Sequence, residues 1–227
     1  MEEEFLEENE ENRLLEAYEN PEEAVFDVGL RPQTLSEFIG QDHIKEPLAI
    51  SMEAAKGREE ALEHILLYGN PGLGKTTLAS IIAREMNANI KVTAGPALER
   101  VGDLAAILSN LGPGDVLFID EIHRMNHTIE EVLYTVMEDF AIDIIIGKGP
   151  GARTLRMPLE KFTLIGATTK MNLLSSPFRD RFGHMYHLSF YEHSDIEKIL
   201  KRSADVLKAH MDDDAAKLIA TRARRTP

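Results

Sequence analysis

HILLYGNPGLGKTT, residues 64 to 77, decides the fold. Ile65, Leu66 and Leu67 form an apolar run of buried-strand length, and from Lys75 to Met86 apolar residues recur at spacings of three and four, as on one face of a helix. Between them, residues 69 to 76 read GNPGLGKT, which fits the Walker A pattern in full and in the strand-to-helix context that the pattern requires. Gly69, Gly72 and Gly74 let the backbone turn tightly and aim N–H groups at a phosphate, and the helix N-terminus adds its dipole. In such a cradle Lys75 reaches the β- and γ-phosphates of ATP and the Thr76 hydroxyl ligates Mg2+. A Gly/Pro-rich turn that matches by accident would not explain the strand and the helix on either side.

Outward from this unit the same alternation repeats. NIKVTAG (89 to 95), DVLFID (115 to 120) and FTLIGATT (162 to 169) have strand length, and residues 103 to 111 and 128 to 140 carry helical apolar spacing. Strands alternating with helices predict an α/β domain, a parallel sheet flanked by helices on both faces. Residues 25 to 190 are assigned to it.

The second half of a hydrolytic site is LFIDEIH, a strand that ends in two carboxylates. Asp120 would hold Mg2+ through water, and Glu121 would orient and deprotonate the attacking water. Two adjacent acids at a strand end can also be a solvated turn. Thr168 lies at the carboxyl end of another strand, where a hydroxyl can orient the lytic water or simply cap the strand. SPFRDRFG then offers Arg179 and Arg181; each is either a surface ion pair or a finger onto a neighbouring subunit's γ-phosphate.

The formal charge of −14 is unfavourable for contact with nucleic acid phosphates. Its distribution is uneven, since residues 1 to 24 hold eleven Glu and one Arg, a net of −10 that leaves −4 for the remainder. That segment, residues 1 to 24, is expected to be a disordered acidic tail. With no cysteine there is neither a disulfide framework nor a thiolate metal site. No membrane span or secretory signal is visible, so a cytoplasmic location is expected.

Ile144, Ile145 and Ile146, the turn GKGPG and the returning Thr154, Leu155 and Arg156 read as a β-hairpin over 142 to 157. Its tip is too polar for a core, so exposed Ile144 and Ile146 would form a partner-binding edge, unless the hairpin folds back on the sheet. From Ser194 onward SDIEKILKRSADVLK and DDDAAKLIATRAR predict two amphipathic helices opened by Ser or Asp caps, with no further strand. Residues 191 to 227 are therefore expected to begin a helical small domain, cut short at Pro227.

LRPQTLSEFIGQ, LLYGNPGLGKTTLA, VLFIDEIHRM, MEDF, IIIGKGPGARTLRM, FTLIGATT and SPFRDRFG together resemble, in order and spacing, the RuvB family of AAA+ branch-migration motors. The likeness covers roughly residues 28 to 227. It implies an AAA+ P-loop NTPase that uses ATP and Mg2+ to drive Holliday junction branch migration in recombination and repair, as a homo-oligomeric, hexameric ring. It places Leu30 and Arg31 on the adenine side. Gly72, Leu73, Gly74, Lys75, Thr76 and Thr77 fall in the phosphate and magnesium segment, and Glu138, Asp139 and Phe140 line the nucleotide pocket. Thr168 becomes the first sensor, Arg181 the trans-acting finger with Arg179 as runner-up, and Tyr191 a further nucleotide contact. The hairpin is implied to dock on RuvA, and duplex or junction DNA to be engaged by the complete protein. The chain departs from the family at Arg225-Thr226-Pro227, one residue before the second sensor arginine, and the winged-helix domain is expected to be absent.

Rival readings diverge on single features. DEIH matches the DExH helicases, which need a second RecA-like domain; His123 and His127 have a zinc-compatible spacing but no third ligand. An ATP-gated scaffold is opposed by an intact Glu121. A clamp-loader or helicase-loader ATPase lacks the IIIGKGPGARTLRM hairpin.

Overall fold

The computed structural model describes residues 29 to 146 and 153 to 227, without the side chains of Ile145 and Ile146. The acidic segment 1 to 24 and the GKGPG turn lie outside the described residues. Five strands form one parallel sheet: β1 (Ile65–Tyr68), β2 (Ile90–Ala94), β3 (Val116–Asp120), β6 (Thr163–Thr168) and β7 (His184–His187), in the order β2-β3-β6-β1-β7. A separate antiparallel pair, β4 (Ala141–Ile146) and β5 (Arg153–Pro158), is the expected hairpin. The helices are α1 (Asp42–Arg58), α2 (Lys75–Glu85), α3 (Val101–Leu108), α4 (His127–Asp139), the short α5 (Ser176–Arg179), α6 (His193–Leu207) and α7 (Asp213–Arg222).

Side chains alternate across a strand, and the three central strands send apolar residues both ways. Ile65, Leu67, Val116, Phe118, Ile165 and Ala167 enter one core with α1, α2 and the first turns of α6. Leu66, Leu117, Ile119 and Leu164 enter a second core with α3, α4 and Phe178 of α5. Each fully buried Leu, Ile or Phe contributes roughly 1.5–3 kcal/mol, so the two layers hold the central strands from both sides. α6 and α7 join the first core through Ile196 and Ala220, and each buries a further alanine, Ala204 and Ala216, outside it.

Two elements escaped the sequence reading, α1 and the edge strand β7, and both matter to the site. The caps expected on the lid helices also differ. Glu192, not Ser194, precedes α6, and neither Glu192 nor Asp212 makes a side-chain capping bond. Since both lid helices bury one face on the large domain, packing compensates for the missing caps.

At the opposite edge of the sheet from the strand ends, His64 is buried and fully partnered. Its Nδ1 accepts Leu164 N–H at 2.9 Å and its Nε2 donates to the Met137 carbonyl at 3.2 Å, which fixes the neutral Nε2–H tautomer. Burial holds its pKa below the ordinary histidine value. Between that lowered pKa and the unfolded value of about 6.5, the unfolded chain binds a proton that the folded chain does not. His64 thus adds a loss of stability as the pH falls below about 6.5, at most about 1.4 kcal/mol per unit. Urea denaturation of wild type and His64→Gln from pH 7.5 to 5 should show a shallower decline in the variant; parallel declines would refute the assignment.

Candidate functional site

The carboxyl ends of β1, β3 and β6 meet at one edge of the sheet. Tyr68 is in register with Thr168 and Ile119 with Gly166, so Asp120 and Thr168 end their strands at nearly the same level as the start of the Walker A loop. Gly69 leaves β1 with φ 146°, donating its N–H to Thr168 O at 3.2 Å, and a Cβ there would lie 2.5 Å from the Leu188 carbonyl oxygen. Only glycine fits this approach. Gly74 takes φ 92° as the residue before α2, and its carbonyl accepts the Leu78 N–H at 2.8 Å, the first helical bond.

Lys75 is buried, and its Nζ donates to the carbonyls of Gly69 at 3.0 Å and Asn70 at 2.8 Å. Burial lowers its pKa, while the nearby Asp120 and Glu121 carboxylates oppose the shift. An ammonium held over a glycine loop at the N-terminus of an eleven-residue helix fits a polyphosphate. On the other side of the cleft, Asp120 accepts Glu121 N–H at 2.8 Å, and Glu121 sits in the left-handed region at φ 47°. Such a conformation costs a non-glycine residue of order 1 kcal/mol or more and is found at functional sites. Gly95 makes it possible: a Cβ there would lie 2.4 Å from the Glu121 carbonyl oxygen.

These groups border one cavity of about 640 Å3. Lys75, Thr76, Thr77, Asp120 and Glu121 stand at its polar end; Leu30, Pro32, Phe38, Ile39 and Ile199 form an apolar end of the kind that receives a flat base. Arg31, Gly72, Gly74 and Tyr191 also border it. Tyr191 donates to the Leu73 carbonyl at 3.3 Å, and burial pushes its phenol up to about 12. Leu73 itself is packed in the core beneath the loop.

Other expected residues lie elsewhere. Thr168 is fully buried and does not border the cavity; its hydroxyl is 2.9 Å from His123 Nδ1 and accepts Lys170 N–H at 2.9 Å. Glu138, Asp139 and Phe140 lie at the end of α4, away from the cavity. Glu138 pairs with Arg181 at 2.6 Å, Asp139 pairs with Arg156 at 2.6 Å, and the Phe140 ring lies against His64 and Phe162. The αL turn at Phe140 that sends the chain into β4 carries this segment off the strand ends. Arg181 stacks 4.5 Å over the Tyr134 ring and bonds its hydroxyl, which, with Glu138, raises the guanidinium pKa further. Arg179 bonds Ser176 Oγ at 2.9 Å. Neither arginine borders the cavity of its own chain.

The hairpin corrects the expectation of freely exposed isoleucines. Ile142 is buried and Ile144 packs partly against the second core, because β4 leaves α4 directly onto it. The exposed apolar residue is Leu155, opposite Ile144 in register. Ile146 pairs with Arg153, and its side chain lies outside the described residues. His123 and His127 take separate partners, Thr168 and Glu131, so they do not converge as zinc ligands.

Two positioning contacts were not foreseen. Gln41 exchanges two bonds with Ser189, donating to its carbonyl at 2.6 Å and accepting its N–H at 3.0 Å, which ties the N-terminal segment to the exit of β7. From the lid, Arg202 donates to Leu30 O at 2.7 Å and Glu37 at 3.1 Å across the apolar end of the cavity. The IGQ triplet was a signal for the first; a mid-helix arginine gave none for the second.

A parallel sheet with β6 between β1 and β3, a Walker A loop and paired acids facing it, and a helical lid over the cleft define a P-loop nucleotide-binding domain of the AAA+ class. Residues 30 to 188 match the Holliday junction DNA helicase RuvB P-loop domain, and residues 191 to 227 the RuvB AAA lid domain. The chain belongs to the RuvB family. It is 59% identical over 209 residues to a Holliday junction branch migration complex subunit RuvB of Fervidobacterium nodosum, with 92% of this chain and 60% of that one covered. It is 56% identical over 209 residues to that of Pediococcus pentosaceus, covering 92% and 62%. The solved Thermotoga maritima RuvB Holliday junction branch migration motor superposes with a TM-score of 0.78 at 50% identity, over 88% of this chain and 62% of that one. The chain therefore spans about three fifths of the length of these relatives.

Proposed function

We propose that the chain binds and hydrolyses Mg-ATP as a motor subunit for Holliday junction branch migration, within a homo-hexameric ring in the cytoplasm. Residues 25 to 190 form its ATPase domain and 191 to 227 belong to its lid, with residues 1 to 24 an acidic tail. The observation that carries the reading is the convergence of Lys75, Thr76, Asp120 and Glu121 on one cavity at the switch point of the sheet.

In this reading Leu30, Arg31 and Tyr191 border the nucleoside and Phe38, Ile39 and Ile199 cover the base. The loop from Gly72 to Gly74 and the α2 N-terminus cradle the phosphates, with Lys75 on the β- and γ-groups and Thr77 beside them. Thr76 and Asp120 hold Mg2+, Asp120 through water; the ion neutralises charge on the transferring phosphoryl group. Glu121 orients the attacking water and takes its proton. Arg181 stands on the outer surface with Glu138, and both face a neighbour's site more readily than their own. Asp139 and Phe140 then belong to the subunit edge. The hairpin docks RuvA through Leu155 and the outer part of Ile144, with Ile146 retained from the sequence expectation. Duplex and junction DNA are handled by the assembled, complete protein.

Three outcomes are expected. In calorimetry, Lys75→Ala should abolish Mg-ATP binding, whereas Glu121→Gln should keep the affinity and stop hydrolysis; equal affinity of Lys75→Ala and wild type would defeat the loop assignment. An arginine finger contributes about 10³- to 10⁵-fold in rate. Mixing inactive Arg181→Ala with inactive Glu121→Gln in ring-forming protein should therefore restore turnover at mixed interfaces, and a mixture as inactive as its components would place Arg181 in cis or outside the chemistry. Leu155→Asp should abolish capture by RuvA at unchanged nucleotide affinity, and undiminished capture would return the hairpin to a purely structural role.

A further inference from the structure

Among the described residues, His123 contacts both Thr168 and Glu121 through its side chain. It lies in the single 3-10 turn Ile122–Arg124 after β3, and its side chain is 5% exposed. Nδ1 stands 2.9 Å from Thr168 Oγ, and Nε2 stands 3.3 Å from a Glu121 carboxylate oxygen. Thr168 does not reach the cavity itself, although the next residue, Thr169, borders it; the Thr168 hydroxyl is connected toward Glu121 through this ring.

The proton positions follow from donor and acceptor counting. A carboxylate only accepts, and the Thr168 oxygen already accepts Lys170 N–H while retaining one O–H to donate. With the proton on Nδ1, the Nε2 lone pair would face a carboxylate oxygen, an acceptor against an acceptor. With the proton on Nε2, Thr168 O–H donates to Nδ1, and the polar Nε2–H lies beside the Glu121 carboxylate at 3.3 Å, a charge–dipole contact and not an aligned hydrogen bond. Every group then has a compatible neighbour. The main chain of Glu121 is already fixed by its bond to Asp120 and its close packing on Gly95, which leaves the carboxylate torsions to be set.

We propose that His123, as the Nε2–H tautomer, is a positioning residue that clamps the Glu121 carboxylate to Thr168, so that the general base and the end of β6 move as one unit. Its effect on turnover rests on the hydrolytic reading above; the clamp itself does not. Two-bond 1H–15N correlation of the imidazole in the full chain should show a protonated Nε2 and an unprotonated Nδ1. Thr168→Val should shift Nδ1, and Glu121→Gln should shift Nε2. An Nδ1–H ring, or one indifferent to both substitutions, would overturn the clamp.

For turnover, His123→Ala should lower kcat about 10- to 100-fold, the scale of a misplaced catalytic group, with the Kd for Mg-ATP within about twofold of wild type. His123→Gln, whose amide reaches the Nε2 position, should recover more of kcat than His123→Asn, whose amide reaches only toward Thr168. An unchanged kcat in His123→Ala, or a loss seen equally in affinity, would reduce the ring to packing. Wild-type protein that binds but never hydrolyses ATP would count against the hydrolytic reading, whereas the 15N pattern would still decide the clamp.

Discussion

The placement of β6 between β1 and β3 is the constraint on which the site depends. Had β3 paired directly with β1, neighbouring strands would stand about 4.8 Å apart and the two acids would crowd the Walker A loop. The intervening strand separates the ends of β1 and β3 by a gap of two strand spacings, which leaves room for a phosphate chain between the Walker A loop and the Asp120-Glu121 pair. Its own end is tied to that loop by Gly69 N–H on Thr168 O. The gap therefore has a fixed width.

The turn that follows β3 explains two glycines. Gly166 lies mid-strand, where a Cβ would come within 2.8 Å of Ile122 Cδ1, so the turn after β3 presses onto the sheet there. Gly95 admits the Glu121 carbonyl from the other direction. Between them the turn that carries Glu121 and His123 is confined on two sides. Its strained left-handed residue persists because the surroundings leave it no alternative.

Much of this was legible because the central strands are buried on both faces. β1, β3 and β6 read as unbroken apolar runs, and GNPGLGKT and DEIH then named their ends. β7, HMYH, is an edge strand with a mixed pattern, and in α1 the buried residues Ile44, Leu48, Met52 and Ala55 follow a helical period that Pro47 and interspersed charges obscure. The site was less legible than the fold wherever a role depends on what a side chain meets. Thr168 ends its strand as expected, yet its hydroxyl turns to His123 and not to the cavity. Glu138 follows a readable helix, but nothing in the string MEDF says that Arg181, forty-three residues later, will pair with it. His123 was read as part of a helicase string or a zinc pair, because a histidine lodged between a Thr and a Glu has no sequence signature.

The lid helices pack on each other and are anchored in the first core of the large domain. Ile196 and Ala220 are embedded in the layer that also holds Ile65, Leu67 and Ile165, while Arg202 strings α6 to the backbone of Leu30. A close-packed interior does not deform smoothly. Tilting α6 would therefore require that layer to repack, so the width of the cleft is coupled to the packing of the sheet's first core.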